Sequence, residues 1–138
     1  MVQLKNNMGK KEEKKDNFKV IIAGSRGFSN YKLLKESCDN FLRDKRKTHN
    51  IIIVSGHAKG ADTLGEKYAD DWGYDLEIYP ANWKKYGKSA GFRRNEQMAE
   101  VADAVIAFWN GESHGTKHMI DIASEKKLDV RVVNYGKV

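Results

Sequence analysis

The chain has 138 residues, of which 40% are hydrophobic and 32% charged, a composition that is typical of one globular domain and too apolar for a disordered protein. No apolar run approaches the roughly 20 residues that cross a bilayer, and the N-terminal residues contain no signal-peptide core, so we expect a cytoplasmic protein without a membrane partner. The formal net charge of +6 is compatible with a polyanionic partner such as nucleic acid.

Residues 1–17 are expected to be a disordered basic tail, because they carry five lysines against three acidic residues and show no periodicity. The remaining residues, 18–138, would then form the domain. "FKVIIAG" (18–24) is a short apolar run that ends in glycine, which predicts a buried parallel strand. The next segment has apolar residues at helical spacing, with Ser29 or Asn30 as its N-cap.

Strands and helices alternate along the rest of the sequence. The expected elements are strands at 50–56, 74–80, 102–109 and 129–135, and helices from Ala61 to Gly73, near 89–101 and at 116–127. This alternation predicts an α/β fold, a single Rossmann-like domain with a mostly parallel sheet of about five strands and helices on both faces. Ligands of such sheets bind beyond the carboxyl ends of the strands. Polar clusters follow each of the first four expected strands.

The first cluster is "GSRGFSNY" (24–31). Gly24 would let backbone N–H groups approach an anion at the positive N-terminus of the next helix. Ser25 would donate to a phosphate, and Arg26 would bind one through two parallel hydrogen bonds. A tight turn with a solvated Arg26 is the alternative. The spacing matches neither a dinucleotide-binding fingerprint nor a Walker A loop.

The second cluster, "VSGHAKGAD" (54–62), is compatible with a phosphate loop, a catalytic site or a tight turn. Its candidate ligand contacts are Ser55, Gly56, Gly60 and Asp62. The two glycines would bend the chain into the next helix, whose free N–H groups then face the strand ends. Asp62 would hold a sugar hydroxyl or cap its helix. Catalysis by Ser55 with His57 is not favoured, because the two lie too close in one extended loop and no third orienting group is evident.

The third cluster is "NWKKYGKSAGFRRNEQM" (82–98). Trp83 would stack on a base, and Lys88 and Arg94 would meet phosphates. Packing of the aromatic ring against the sheet edge and binding to single-stranded nucleic acid are the alternatives. Helical spacing places Asn95 among apolar positions, so we expect it to have a polar partner, and it is a second candidate for a ribose contact.

The fourth cluster is "FWNGESHGTKHMIDIA" (108–123), in which glycines would let the backbone bend around a phosphate or ribose. Its candidate ligand contacts are Gly111, Ser113, Gly115 and Thr116. Thr116 is also expected to begin the next helix. His114 and His118 are four residues apart, but His114 is expected in the loop before the helix and no third ligand is near, so we expect no metal.

Taken together, "GSRGFSNY", "VSGHAKGADTLGEKYA", "WKKYGKSAGFRRNEQM" and "FWNGESHGTKHMI" resemble the SLOG superfamily, in particular its YspA/YpsA-related branch, over roughly residues 18–134. The resemblance implies a Rossmann-like fold and the binding of a nucleotide or a nucleotide-derived ligand.

LOG-type phosphoribohydrolases and the DprA Rossmann-like domain are more distant members of the superfamily. Arg94 in "RNEQM" matches the catalytic arginine of the LOG enzymes, but Met119 stands where their glutamate would be, and methionine cannot act as a base. DprA-type proteins bind single-stranded DNA and share similar "GSR", "SGxAxGxD" and "RN" segments. This sequence differs from them in its short length and in "WKKYGKSAG" and "WNGESHGT".

The expected function is therefore the binding of a nucleotide or nucleotide-derived small molecule, as a sensor, a sequestering protein or a weak hydrolase, with no cofactor. Two alternatives stay open. One is a nucleotide N-glycosidase or phosphate hydrolase with Arg94 as its catalytic residue, and the other is a DprA-like module that binds single-stranded nucleic acid. A homo-oligomer is also compatible with the sequence.

Overall fold

The fold is built on one sheet, and the computed structural model describes it for residues 3–5 and 15–136. The strands are β1 (Gln3–Lys5), β2 (Asp16–Gly24), β3 (His49–Ser55), β4 (Asp75–Ile78), β5 (Ala104–Trp109) and β6 (Asp129–Asn134). The helices are α1 (Tyr31–Leu42), α2 (Lys45–Thr48), α3 (Ala61–Trp72), α4 (Trp83–Tyr86), α5 (Ala90–Val101) and α6 (His114–Glu125), with a 3-10 turn at Gly87–Ser89. The short helices α2 and α4 were not expected from the sequence.

The strand order is β1-β4-β3-β2-β5-β6, and all neighbouring pairs from β4 to β6 are parallel. The predicted Rossmann-like α/β fold with a five-stranded parallel sheet is confirmed. The chain builds β3 and β4 on one side of β2 and then returns to place β5 on the other side. The topological switch point therefore lies between β2 and β5, where ligands of such sheets bind.

The central strand β2 is buried on both faces, because successive side chains of a strand point to opposite sides of the sheet. Val20 and Ile22 belong to the hydrophobic core under α1 and α3. Ile21 belongs to a second core, together with Met98 of α5 and Met119 of α6. Helices thus cover both faces of the sheet. None of those in the described part of the chain has the length and apolarity that a membrane crossing requires.

The expected disordered tail is corrected at two places. Gln3–Lys5 form β1, which pairs antiparallel with β4, and β2 begins at Asp16 rather than at Phe18. Without β1, one row of backbone groups on β4 would be unpaired, which explains why a short segment joins this edge. Lys15 is also described, and the other residues of the predicted tail lie outside the described residues.

Capping residues set the bounds of the long helices. Asn30, one of the two predicted caps, begins α1 with a side-chain oxygen that accepts a backbone hydrogen bond of 3.0 Å. Gly73 ends α3 in the left-handed conformation, as predicted. The start of α6 differs from the prediction: the helix begins at His114, because Ser113, and not Thr116, is its N-cap. Ser113 Oγ accepts the hydrogen bond from the Thr116 N–H at 3.4 Å.

Candidate ligand-binding site

A cavity of about 490 Å³ opens at the carboxyl ends of β2 and β5, at the topological switch point. Segments that follow β2, β3, β4 and β5 all contribute to its wall. Most of the candidate residues from the sequence line it: Gly24, Ser25, Arg26, Asp62, Trp83, Lys88, Arg94, Asn95, Ser113, Gly115 and Thr116. The four clusters therefore converge on one site.

Four candidate residues do not line this cavity: Ser55, Gly56, Gly60 and Gly111. Ser55 is fully buried, and Gly56 is covered by the Arg94 side chain. Gly60 has φ +83°, and a Cβ atom there would lie 2.4 Å from the Ser25 carbonyl oxygen. Ser55, Gly56 and Gly60 therefore support the loops around the cavity rather than forming its surface.

Ser25 joins the ends of the two central strands at the edge of the cavity. Its backbone N–H donates to the Phe108 carbonyl (3.0 Å), and its hydroxyl accepts from the Asn110 N–H (3.2 Å). The Ser25 carbonyl accepts from the N–H of Ala61, the first residue of α3 (3.4 Å). One buried serine thus connects the segments after β2, β3 and β5, and directs the N-terminus of α3 towards the cavity.

Two charged groups, Arg94 and Asp62, meet beside Gly56. Arg94 Nη1 donates to the Gly56 carbonyl, and Asp62 Oδ2 accepts from the Ala58 N–H (3.2 Å). A Cβ atom on Gly56 would lie 2.6 Å from Arg94 Nη1 and 2.9 Å from Asp62 Oδ2. Glycine at position 56 is therefore what lets a guanidinium and a carboxylate share this space.

Burial shifts the pKa of both groups towards the neutral form. It raises the pKa of Asp62 to about 6, although the Ala58 N–H and the Arg94 charge act in the opposite direction. It also lowers the pKa of Arg94, reinforced by Arg26 and opposed by Asp62. At neutral pH the pair is mostly ionised, and each charge partly compensates the burial of the other.

Asn95 has the polar partners that its buried position predicted. Its Oδ1 accepts from Arg94 Nε (3.1 Å), and its Nδ2 donates to the Gly115 carbonyl (3.2 Å). Nδ2 also lies 3.2 Å from His118 Nδ1. Asn95 therefore links α5 to the start of α6 and orients the Arg94 guanidinium.

The loop after β5 is held by Asn110, a residue of the quoted segment that was not among the candidates. Asn110 Oδ1 accepts from the N–H groups of Glu112 (2.8 Å) and Ser113 (2.9 Å). Ser113 Oγ in turn lies 3.0 Å from Thr116 Oγ1. This part of the wall is thus ordered by its own hydrogen bonds, with Ser113 and Thr116 at the cavity.

The rim of the cavity combines cations with an aromatic ring. Arg26 and Lys88 are exposed at its edge. Trp83 is 52% exposed. A Cβ atom on Gly91 would lie 3.5 Å from Trp83 Cη2 and 3.8 Å from Arg94 Nη2, so the indole ring and the guanidinium flank the same point of α5. The apolar part of the lining, which the sequence analysis did not assign to the site, comprises Ala23, Ala58, Phe92, Met98 and Met119.

A third polar group, Glu66, joins Ser55 and His57, although no third orienting group was evident in the sequence. Ser55 Oγ donates to Glu66 Oε2 (2.7 Å), and His57 Nδ1 lies 2.8 Å from the same oxygen. The carboxylate thus lies between the serine and the imidazole, whereas a catalytic triad has the imidazole in the middle. Glu66 follows Asp62 by one helical turn, and this spacing was the signal that could have identified it.

His114 and His118 both belong to α6, because the helix begins earlier than predicted. Within residues 3–5 and 15–136, no group of three or more His, Cys, Asp or Glu side chains has a geometry that could hold a metal ion.

A parallel sheet in this order, with a cavity at its switch point, defines the class of Rossmann-like α/β domains. The chain belongs to the YspA, cpYpsA-related SLOG family (YAcAr), whose model matches residues 18–86. The resemblance recognised in the sequence is confirmed. A curated relative is the Gene 61 protein of Mycobacterium phage D29, which is 32% identical and aligns with 86% of this chain and 96% of its own length.

Two solved structures share the fold. DNA processing protein A (DprA) from Streptococcus pneumoniae superposes with a TM-score of 0.62 at 20% identity, over 89% of this chain and 52% of that one. DprA from Helicobacter pylori, described in a study of its single-stranded DNA binding mode, has a TM-score of 0.58 at 17% identity, over 87% of this chain and 67% of that one. The chain thus spans about half the length of the pneumococcal protein.

Proposed function

We propose that the chain binds a nucleotide or a nucleotide-derived small molecule in this cavity. The observation that carries the proposal is the convergence of Arg26, Lys88 and Arg94 on one concave site that also holds a half-exposed indole ring. Cations of this kind recognise phosphate, and an aromatic ring stacks on a base. A volume of about 490 Å³ falls within the usual range of small-molecule sites.

The geometry suggests a role for each part of the wall. The three cations would contact phosphate, helped by backbone N–H groups near Gly24 and Gly115, the two candidate glycines that line the cavity. Trp83 would stack on the base. Of the two ribose candidates, Asp62 is favoured over Asn95, because the side-chain amide of Asn95 already bonds to Arg94 and Gly115. The protein would act as a sensor or would sequester its ligand.

Isothermal titration against nucleotides, ADP-ribose species and cyclic nucleotides tests the proposal. We expect Arg94→Ala to weaken the binding of the best ligand by about tenfold to hundredfold, the effect of losing hydrogen bonds to a charged group. Arg93→Ala is the matched control, because Arg93 neighbours Arg94 on α5 and does not line the cavity. Absence of binding at millimolar ligand, or equal affinity in wild type and Arg94→Ala, would refute the proposal.

Hydrolysis of the bound nucleotide is a separate step. Met119, at the position of the LOG glutamate, is 1% exposed and packs in the core beneath the cavity. Its thioether has no proton to exchange at neutral pH, so the site favours binding over N-glycosidic cleavage. Chromatography of the same ligand panel for released base or phosphate decides this point, and turnover would support the enzyme alternative.

Single-stranded nucleic acid is the second candidate ligand. It is favoured by three exposed aromatic side chains in one short region, Trp83, Tyr86 and Phe92, which are 52%, 37% and 46% exposed. Arg93 and Lys85 flank the Tyr86 ring at 4.5 and 5.0 Å. Aromatic rings interleaved with cations are typical of surfaces that bind single strands. If the protein binds single-stranded nucleic acid, its affinity for an oligothymidylate should fall steeply with salt and should be weakened by Tyr86→Ala. A site for a mononucleotide alone should show neither effect.

A further inference from the structure

The turn at residues 55–58 contacts both charged groups of the cavity through its backbone. The Gly56 carbonyl accepts from Arg94 Nη1, and the Ala58 N–H donates to Asp62 Oδ2 at 3.2 Å. The orientation of the guanidinium and of the carboxylate therefore depends on the conformation of this turn. A fixed turn keeps both side chains in the same orientation.

This turn has a conformation that the backbone alone does not favour. His57, at its centre, has φ +60°, in the left-handed region that few non-glycine residues adopt, although asparagine, aspartate and histidine do so more often than the others. Such a conformation persists where the surroundings determine it. Here the surroundings are one hydrogen-bonded group around the Glu66 carboxylate.

Glu66 fixes the turn from outside the cavity. Its Oε2 accepts from Ser55 Oγ at 2.7 Å and lies 2.8 Å from His57 Nδ1. Ser55 Oγ also accepts from the His57 backbone N–H at 3.1 Å. One carboxylate oxygen thus connects both the start and the centre of the turn to α3, and Glu66 itself is not part of the cavity wall.

We propose that Glu66 is a positioning residue for the cavity: through the 55–58 turn it directs the Arg94 guanidinium and the Asp62 carboxylate, and so regulates the affinity of the site for an anionic ligand. The effect on affinity rests on the proposed function, whereas the orientation of the two side chains is a property of the free protein.

The fully buried Ser55 and the central place of Glu66 argue against a nucleophilic role for the same three residues. A serine nucleophile needs access to substrate and an imidazole that accepts its proton. Here the hydroxyl donates to the carboxylate instead. Support of the turn accounts for each of these contacts.

Nuclear magnetic resonance of the free protein tests the positioning. In Glu66→Ala, we expect the Arg94 side-chain N–H protons to exchange with solvent at least tenfold faster, because the hydrogen bond to Gly56 is lost. In Glu66→Gln, which keeps an oxygen for Ser55, we expect slower exchange than in Glu66→Ala. Both variants remove the Glu66 charge, which is one of the causes that raise the pKa of Asp62. We therefore compare the two variants: the pKa of Asp62 should be higher in Glu66→Ala than in Glu66→Gln, because a displaced turn also loses the Ala58 hydrogen bond that lowers it. Loss of the Glu66 charge alone would give the same pKa in both variants.

Adenosine 5′-monophosphate is the probe for affinity. We expect its dissociation constant to rise about tenfold in Glu66→Ala, the effect of losing one hydrogen bond to a charged group, and less in Glu66→Gln. Asp70→Asn is the matched control, since it removes an exposed acidic side chain from the same helix. Urea unfolding shows which variants are folded. If Glu66→Ala does not fold, the comparison of Glu66→Gln with the wild type tests the proposal.

The outcomes separate the two proposals. Unchanged exchange at Arg94, together with the same Asp62 pKa in Glu66→Ala and Glu66→Gln, would overturn the positioning role, whether or not the nucleotide binds. Faster exchange at Arg94 with different Asp62 pKa values in the two variants, when the wild-type protein does not bind the nucleotide, would support the positioning role and count against the proposed function.

Discussion

Replacing Asp62 with asparagine tests the electrostatics of the cavity with almost no change of shape. Asp62 is 6% exposed, and burial raises its pKa from 3.8 to about 6. The folded state therefore holds the Asp62 proton more tightly than the unfolded state does. Between about pH 4 and pH 6 the folded chain is protonated at this position while the unfolded chain is ionised. The free energy of unfolding consequently falls as the pH rises through this window, and above it the loss is complete.

The magnitude follows from the size of the shift. A rise of about two pKa units corresponds to about 3 kcal/mol, since one unit is worth about 1.4 kcal/mol. Asparagine does not titrate, so the Asp62→Asn protein lacks this contribution. The free energy of unfolding of the wild type minus that of the variant should thus fall by about 2 to 2.5 kcal/mol between pH 4 and pH 7, since the remainder is lost below pH 4, where the unfolded carboxyl begins to ionise. The attraction between Asp62 and Arg94 needs no separate allowance, because it is one of the causes that set the pKa of Asp62.

Urea unfolding of both proteins at several pH values from 4 to 7.5 measures this difference, and other titrating groups cancel in it to the extent that the substitution leaves them unchanged. Two stability profiles that stay parallel over the whole range would show that Asp62 titrates alike in the folded and unfolded chain. A difference that rises with pH would mean that Arg94 outweighs burial and lowers the pKa instead. Either result would refute the reasoning.

Two further substitutions test the packing of α3 against the sheet and the hydrogen bonds between α1 and α3. In Gly65→Ala the new Cβ would lie 2.8 Å from Ile22 Cβ, so we expect overpacking of about 1–3 kcal/mol, offset by about 1 kcal/mol of helix propensity, and a lower melting temperature by calorimetry. In Asp39→Asn the carboxylate that accepts from Tyr68 (2.7 Å) and Trp72 (2.9 Å) is lost, at a cost of about 1–3 kcal/mol at pH 7. Burial alone would raise the pKa of Asp39, but its hydrogen bonds lower it, so this cost should shrink as the pH falls below about 4, the ordinary value. Chemical unfolding at pH 7 and pH 3 checks the sign.

The order of elements could be predicted because β2, β3 and β5 are largely buried and appear as nearly continuous apolar runs, separated by segments of helical spacing. The long helices could be placed by their caps, such as Asn30 and Gly73. The short helices α2 and α4 have four residues each, too few to show a helical period. β1 could not be predicted either, because its pairing depends on the edge of β4, which is far away in the sequence.

The site was predictable as a place and less so as a set of contacts. Polar and glycine residues at strand ends must meet at one edge of a parallel sheet, and the Rossmann-like order brings them to one cavity. The partners of each side chain depend on distances across the fold, so the bond between Arg94 and Gly56 and the role of Glu66 were not visible. Asn110 was not among the predicted site residues, because the phosphate-loop pattern of this segment consists of the glycines and hydroxyl groups beside it.

The buried charges indicate what Asp62 contributes. A carboxylate whose ionisation is disfavoured in the folded state lowers stability above pH 6 relative to its protonated form, so its charge is not a source of stability there. If Asp62 contacts ribose, Asp62→Asn should weaken the binding of adenosine 5′-monophosphate at pH 7 and strengthen that of inorganic pyrophosphate, because a negative charge beside Arg94 is removed and only the nucleotide has a ribose to lose. Titration calorimetry of the two ligands separates these effects. Equal changes for both would mean that Asp62 acts only through its charge, and the ribose contact would then be wrong.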